Sequence, residues 1–128
     1  MDDSNRYERG IALLKQTQGD TAEKLLKSLE NIAPDLGRYA AEFAFGDILS
    51  RPGLDMKTRE MLSVAALTAL GTAGPQLRAH IGAALRVGCT REEIVETILQ
   101  MVVYAGFPAA LNGMQAAREV FADHPANP

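Results

Sequence analysis

Between the glycines and prolines that punctuate this chain, apolar residues recur three and four positions apart rather than alternating, which is the spacing of one face of an α-helix. Seven helices follow from that pattern. A first, over residues 5–18, carries Tyr7, Ile11 and Leu14 on one side and stops at Gly19-Asp20, and a second, over 21–32, has Leu25, Leu26, Leu29 and Ile32 as its stripe. Pro34 suits the first position of a third, where a helix leaves the backbone N–H unbonded in any case. Leu36, Tyr39, Ala40, Phe43 and Ile48 form its apolar face before Arg51-Pro-Gly breaks it. A fourth, over 56–70, has Asp55 as its cap and Gly71 as its left-handed stop, and offers Leu62, Ala65, Ala66 and Ala69 for close helix approach.

Pro75 opens a fifth helix ending at Gly88, with Leu77, Ile81, Ala84 and Leu85 as its core stripe. At ~100° per residue His80 falls at the edge of that stripe, with Gln76 one turn earlier on the same side. Thr90 and Glu93 form a capping-box pattern for a sixth helix over 91–105; Gly106-Phe-Pro108 breaks it and starts a seventh ending near residue 122. The tail from His124 to Pro128 has the composition of a frayed end. The fold class is all-α, a compact bundle of about six to seven helices in a single domain over 1–128. Ile94, Val95, Ile98, Leu99, Met101, Val102 and Val103 make the sixth helix apolar over much of its circumference, which predicts subunit contacts.

Composition excludes several functions. A net charge of −3 with thirteen scattered Lys and Arg gives no phosphate-binding stripe, so nucleic acid is not an expected partner. No apolar run approaches ~18 residues and no secretory leader opens the chain, so no membrane association is expected and the compartment is the cytoplasm. One cysteine, Cys89, cannot form an intrachain disulfide and fits a small filler in the turn after Gly88. Two widely separated histidines without clustered ligands predict no metal, and glycines that punctuate helices predict no phosphate cradle.

The candidate chemistry lies in the second half. Taken alone, His80 fits either a half-buried histidine with a carboxylate or backbone partner or the wall of a pocket. Arg51 sits in a rigid Pro-Gly loop that holds a cation in place, for a carboxylate or equally to bridge a subunit interface, while Arg59 and Glu60 fit a surface ion pair or a carboxylate-binding fork. Tyr104, just before Gly106, fits core or interface packing, or a phenol reaching a pocket. Asn112 and Gln115, on the last helix, fit structural or solvent-facing roles.

Three blocks in order, Phe45-Gly-Asp-Ile-Leu-Ser-Arg51-Pro-Gly-Leu-Asp-Met-Lys-Thr-Arg59-Glu60, then His80, then Tyr104-Ala-Gly106-Phe-Pro108-Ala-Ala-Leu-Asn112, resemble the carboxymuconolactone decarboxylase family. The Gly88-Cys-Thr90-Arg-Glu-Glu93-Ile turn belongs to the same resemblance, which runs from about Phe45 to Val120. It implies an alkyl hydroperoxidase D-like fold, a homo-oligomer such as a trimer or hexamer, and a decarboxylase acting without a cofactor on a small carboxylated lactone in aromatic-compound catabolism. In the family's reference reaction, loss of CO2 pushes electrons through the ring alkene onto the lactone carbonyl, and protonation yields an enol-lactone. The resemblance makes His80 the acid, Arg51 and Arg59 the carboxylate clamps, Tyr104 or Gln76 the partner of the enolate oxygen, and Glu60 the group that orients the histidine or an arginine. Peroxidases of the same fold carry Cys-x-x-Cys before the histidine, where this chain has Ala73 and Gln76, so thiol turnover is disfavoured. A non-catalytic oligomeric binding module is the third reading. Phe45 stands where decarboxylases of the family carry a tryptophan, so the resemblance fixes family more firmly than substrate.

Overall fold

A computed structural model describes residues 5–124, and among these the chain is all-helical. It divides into two compact units, one through Asp55 and one from Met56 onward.

In the first unit, α1 (Arg6–Gln18) packs against α2 (Asp20–Leu29) and a long helix that starts as α3 (Pro34–Tyr39) and continues as a π-helical segment, Ala40–Leu49. Pro34 opens α3 as the sequence predicts. The second helix ends three residues before its expected end, in a turn at 30–32 where the Ile32 and Ala33 amides both reach back to the Leu29 carbonyl. Leu14, Ala22 and Phe45 form the core of this unit.

The expected stripe of the third helix is not its buried face: Leu36, Tyr39, Phe43 and Ile48 are all exposed, and Gly37, Ala41, Phe45 and Gly46 point inward instead. Wider π winding shifts which residues share a side, so a face counted at 3.6 residues per turn drifts off it. The inward face is held by backbone proximity. A Cβ on Gly10 would stand 1.7 Å from the Ala41 carbonyl oxygen, and one on Gly46 2.4 Å from that of Arg6. Arg9 Nε and Ser50 Oγ both donate to the Gly46 carbonyl, at 2.9 and 2.5 Å, and Asp47 is gripped by Arg6 at 2.5 Å and Arg9 at 3.7 Å.

In the second unit, α4 (Met56–Leu70) and α5 (Gly74–Arg86) form a helical hairpin turned at Gly71, whose φ of 75° is one a β-carbon would strain. Then come α6 (Arg91–Gln100), the single turn α7 (Val102–Ala105) and α8 (Phe107–Asp123). The core gathers Val64, Leu77, Ile81, Ala84, Ile94 and Ile98, with Ala116, Ala117 and Val120 from α8. The Thr90–Glu93 capping box forms as the sequence predicts, with the Glu93 amide donating to Thr90 Oγ1 at 3.0 Å and the Thr90 amide to Glu93 Oε1 at 2.9 Å. Glu93 also meets Lys57 Nζ of α4 at 3.0 Å. The Thr90 amide first, and Lys57 second, pull its carboxyl below the ordinary value.

Two expectations fail here. The sixth helix is not continuous to residue 105 but is interrupted at Met101, whose amide bonds back to Ile98. The inward face of α4 is Glu60, Val64 and Thr68, whereas Leu62 and Ala66 lie outside and Ala65 is half-buried. A carboxylate thus occupies a core position that an apolar count assigns elsewhere.

Candidate active site

Glu60 lies one turn into α4 on the side facing α5, and its side chain is 0% exposed. His80 reaches it from α5 across the hairpin, with Nδ1 2.8 Å from Glu60 Oε2 and 16% of the histidine side chain exposed. Burying a carboxylate costs several kcal/mol unless a partner compensates it. The imidazole is that partner, and an ionised Glu60 accepts from Nδ1–H and fixes the ring's orientation. Glu60 Oε1 is also buried and makes no hydrogen bond among the described residues. This is a partly exposed histidine backed by a buried acid, an arrangement that suits proton transfer.

The other residues singled out in the sequence are dispersed. Arg59 precedes Glu60 on α4 and is half-buried, and its carbonyl accepts from Ser63 Oγ at 3.1 Å. Gln76 is exposed at the start of α5. Tyr104 is 79% exposed at the end of α7, which corrects the expectation of core packing within one chain. Arg51 belongs to the first unit, exposed, its amide donating to the Ile48 carbonyl at 3.1 Å. Asn112 and Gln115 are exposed on α8, as expected, and border a cavity of that unit.

Cys89 is the buried filler the sequence suggests, its thiol 3.5 Å from the Lys57 carbonyl. His124 is not frayed: its Nδ1 lies 3.0 Å from the Val120 carbonyl, and its own carbonyl accepts from Arg91 at 2.6 Å. The rest of the tail, 125–128, lies outside the described residues. Sequence reasoning did not single out the ion pair between Arg78 of α5 and Glu119 of α8, because the partners lie 41 residues apart and neither stands in a motif.

The buried acid and its histidine join two of the three blocks that carried the resemblance, and comparison with known proteins bears on the same stretch. A model of the carboxymuconolactone decarboxylase family matches residues 34–119. The chain is 36% identical over 124 residues to the 4-carboxymuconolactone decarboxylase of Acinetobacter baylyi, covering 96% of this chain and 92% of that one. It is 38% identical over 99 residues to an uncharacterized 15.0 kDa protein of Paracoccus denitrificans, covering 77% and 74%. To the nitrosuccinic acid decarboxylase of Metarhizium robertsii it is 29% identical over 120 residues, covering 91% and 82%. A match over most of the chain that includes Glu60, His80 and the helices carrying them places this protein in the carboxymuconolactone decarboxylase family.

Proposed function

We propose that the protein is a decarboxylase in which His80, oriented by Glu60, delivers the proton that replaces CO2 on a small carboxylated lactone or a closely related diacid. The single observation that carries this reading is the 2.8 Å contact between a half-buried histidine and a fully buried carboxylate. With Nδ1 committed to Glu60, proton exchange with the substrate falls to Nε2.

The names of the two decarboxylase relatives support a substrate class. In 4-carboxymuconolactone and in nitrosuccinic acid the departing carboxylate sits on a carbon that also bears a CH2–carboxylate arm, and an electron acceptor is conjugated to that carbon. Both are therefore succinates with a built-in electron sink, a lactone carbonyl reached through an alkene in one and a nitro group in the other. When the C–CO2 bond breaks, its electron pair passes into the sink, and one proton from His80 restores a neutral carbon or oxygen centre. The retained carboxylate arm is what an arginine would clamp, and Arg59 and Arg51 are the candidates for it. The thiol-peroxidase alternative has no support in the residues present, since Ala73 and Gln76 offer no thiolate.

We further take the working form to be a homo-oligomer, on the strength of Leu62, Leu99, Val103, Phe107 and Leu111, large apolar side chains exposed on the second unit, and the compartment to be the cytoplasm, as the family resemblance implies. A clean monomer by light scattering at micromolar concentration would count against it.

The deciding assay follows CO2 release from 4-carboxymuconolactone and from nitrosuccinic acid. His80→Ala should lower kcat by roughly 10²–10⁴, the usual cost of losing a positioned proton donor. Arg59→Ala and Arg51→Ala should act largely through KM. No turnover of either compound by the wild type, or full activity in His80→Ala, would defeat the proposal.

A further inference from the structure

Besides the His80–Glu60 pair, α4, α5 and α8 border a second feature, a half-open cavity of about 220 Å³. It opens two helical turns beyond the pair: Glu60, Val64 and Thr68 succeed one another along the inward face of α4, and Thr68 borders the cavity. Along α4 eight residues of helix span ~12 Å with buried Val64 between, whereas on α5 Leu77 of the lining stands one turn before His80, so the cavity lies beyond the pair on one helix and borders it on the other.

The lining has two chemistries. Leu67, Leu77, Ala109 and Ala116 make an apolar interior. At the mouth stand the Arg78 guanidinium and the Asn112 and Gln115 amides, all on exposed residues. Arg78 is oriented by its neighbours. Its Nε donates to Glu119, while its Nη1 is turned back over the first turn of α5, 3.1 Å from where a β-carbon on Gly74 would stand. Gly74 itself borders the cavity, so the outer end of the fork lies at the entrance. Glu119 occupies only one edge of a group that carries five N–H donors.

The volume sets the size of the occupant. An apolar protein cavity of about 150 Å³ accepts benzene, so this one holds a six-membered ring with a substituent. We propose that the cavity is a second binding site, for a small ring-bearing monocarboxylate whose ring lies among Leu67, Leu77, Ala109 and Ala116 and whose carboxylate meets Arg78 and Asn112 at the mouth. The assignment does not depend on the reaction proposed for His80. Glu119 already accepts from Arg78 Nε and from the Gln115 amide, and a carboxylate adds a charged acceptor for the Nη end of the fork that a neutral molecule of the same shape does not, which is the basis for the preference.

Benzoate is the probe, titrated into the wild-type protein and followed by backbone and side-chain amide NMR. Saturable shifts should centre on Gly74, Arg78 and the Asn112 side chain, and benzyl alcohol should bind more weakly. Arg78→Met should weaken benzoate roughly tenfold or more, the usual consequence of losing a charge-assisted hydrogen bond. Glu119→Gln, which removes the competing carboxylate, should tighten it. Ala109→Leu fills the space from a half-buried position and should abolish binding, with far-UV circular dichroism confirming an unchanged fold. His80→Asn should bind benzoate as the wild type does. Absence of saturable binding, shifts centred on His80, loss of binding in His80→Asn, or undiminished affinity in Ala109→Leu would overturn the assignment.

Discussion

The Glu60–His80 contact makes a quantitative demand on stability that is independent of any substrate. His80→Leu removes the partner of a carboxylate that is 0% exposed, and stranding such a charge costs about 3–5 kcal/mol. Glu60→Met takes the carboxylate away from His80 Nδ1 at a position that retains some water access, which costs about 1–3 kcal/mol. The double variant replaces both partners by apolar side chains of similar length and leaves neither stranded, so it should lie within about 1 kcal/mol of the wild type. The coupling energy of this cycle should then exceed about 2 kcal/mol, near the top of what neighbouring residues show. Urea denaturation at fixed pH reads it directly. With a slope near ~2 kcal/mol per molar, His80→Leu should lower the midpoint by roughly 2 M and the double variant should recover nearly all of that. The proposed decarboxylase activity, measured alongside, should be strongly reduced in all three variants, so that stability returns in the double variant while turnover does not. Small, additive losses would refute the reasoning, since they would mean that Glu60 does not depend on His80 in the folded state.

Two further expectations concern the scaffold. Gly10→Ala would set a β-carbon 1.7 Å from the Ala41 carbonyl oxygen, and because backbone lies on both sides the loss should be about 3 kcal/mol or more, a fall in Tm of ~10 °C or more by calorimetry; a change within about 2 °C would refute the close approach. The capping box should appear twice, as a loss of about 1 kcal/mol in Thr90→Ala and as a pH dependence. The folded pKa of Glu93 lies below its ordinary value of 4.5, so its contribution is present above that pH and is lost as pH falls through the depressed folded value; Glu93→Gln should lose that part of the acid dependence of the urea midpoint, and an unchanged profile would count against the box.

Those parts of the fold set by neighbours in sequence were legible in the sequence. Pro34 and Pro75 at helix starts, Gly71 at a stop and the Thr90–Glu93 box all act within a turn of themselves, and all stand where expected. What misled the apolar count was winding and distance. From Ala40 onward the helix is π, so Phe43 and Ile48 fall outside the inward face counted for an α-helix. The break at Met101 has no glycine or proline to announce it. Glu60 looked like a surface charge beside Arg59 because the histidine that makes its burial tolerable is 20 residues away on another helix. The resemblance to a family named both residues, and the hairpin of α4 and α5 shows how they meet. Tyr104 was named with them but stands exposed at the end of α7.

The exposure of Tyr104 has a practical side, because the chain has no tryptophan and its three tyrosines are the whole of its intrinsic fluorescence. Tyr7, Tyr39 and Tyr104 are 43%, 56% and 79% exposed, so unfolding moves each from one watery surrounding to another and its emission should change little. A denaturation curve recorded by fluorescence would be nearly flat even as the helices melt, and circular dichroism is the signal that will follow the variants above. The same silence makes the fluorophores useful. Whatever surface comes to rest on Tyr104, whether another copy of the chain or a different protein, would shield it from a dissolved quencher, and a single emission measurement against dilution would report that event without a label.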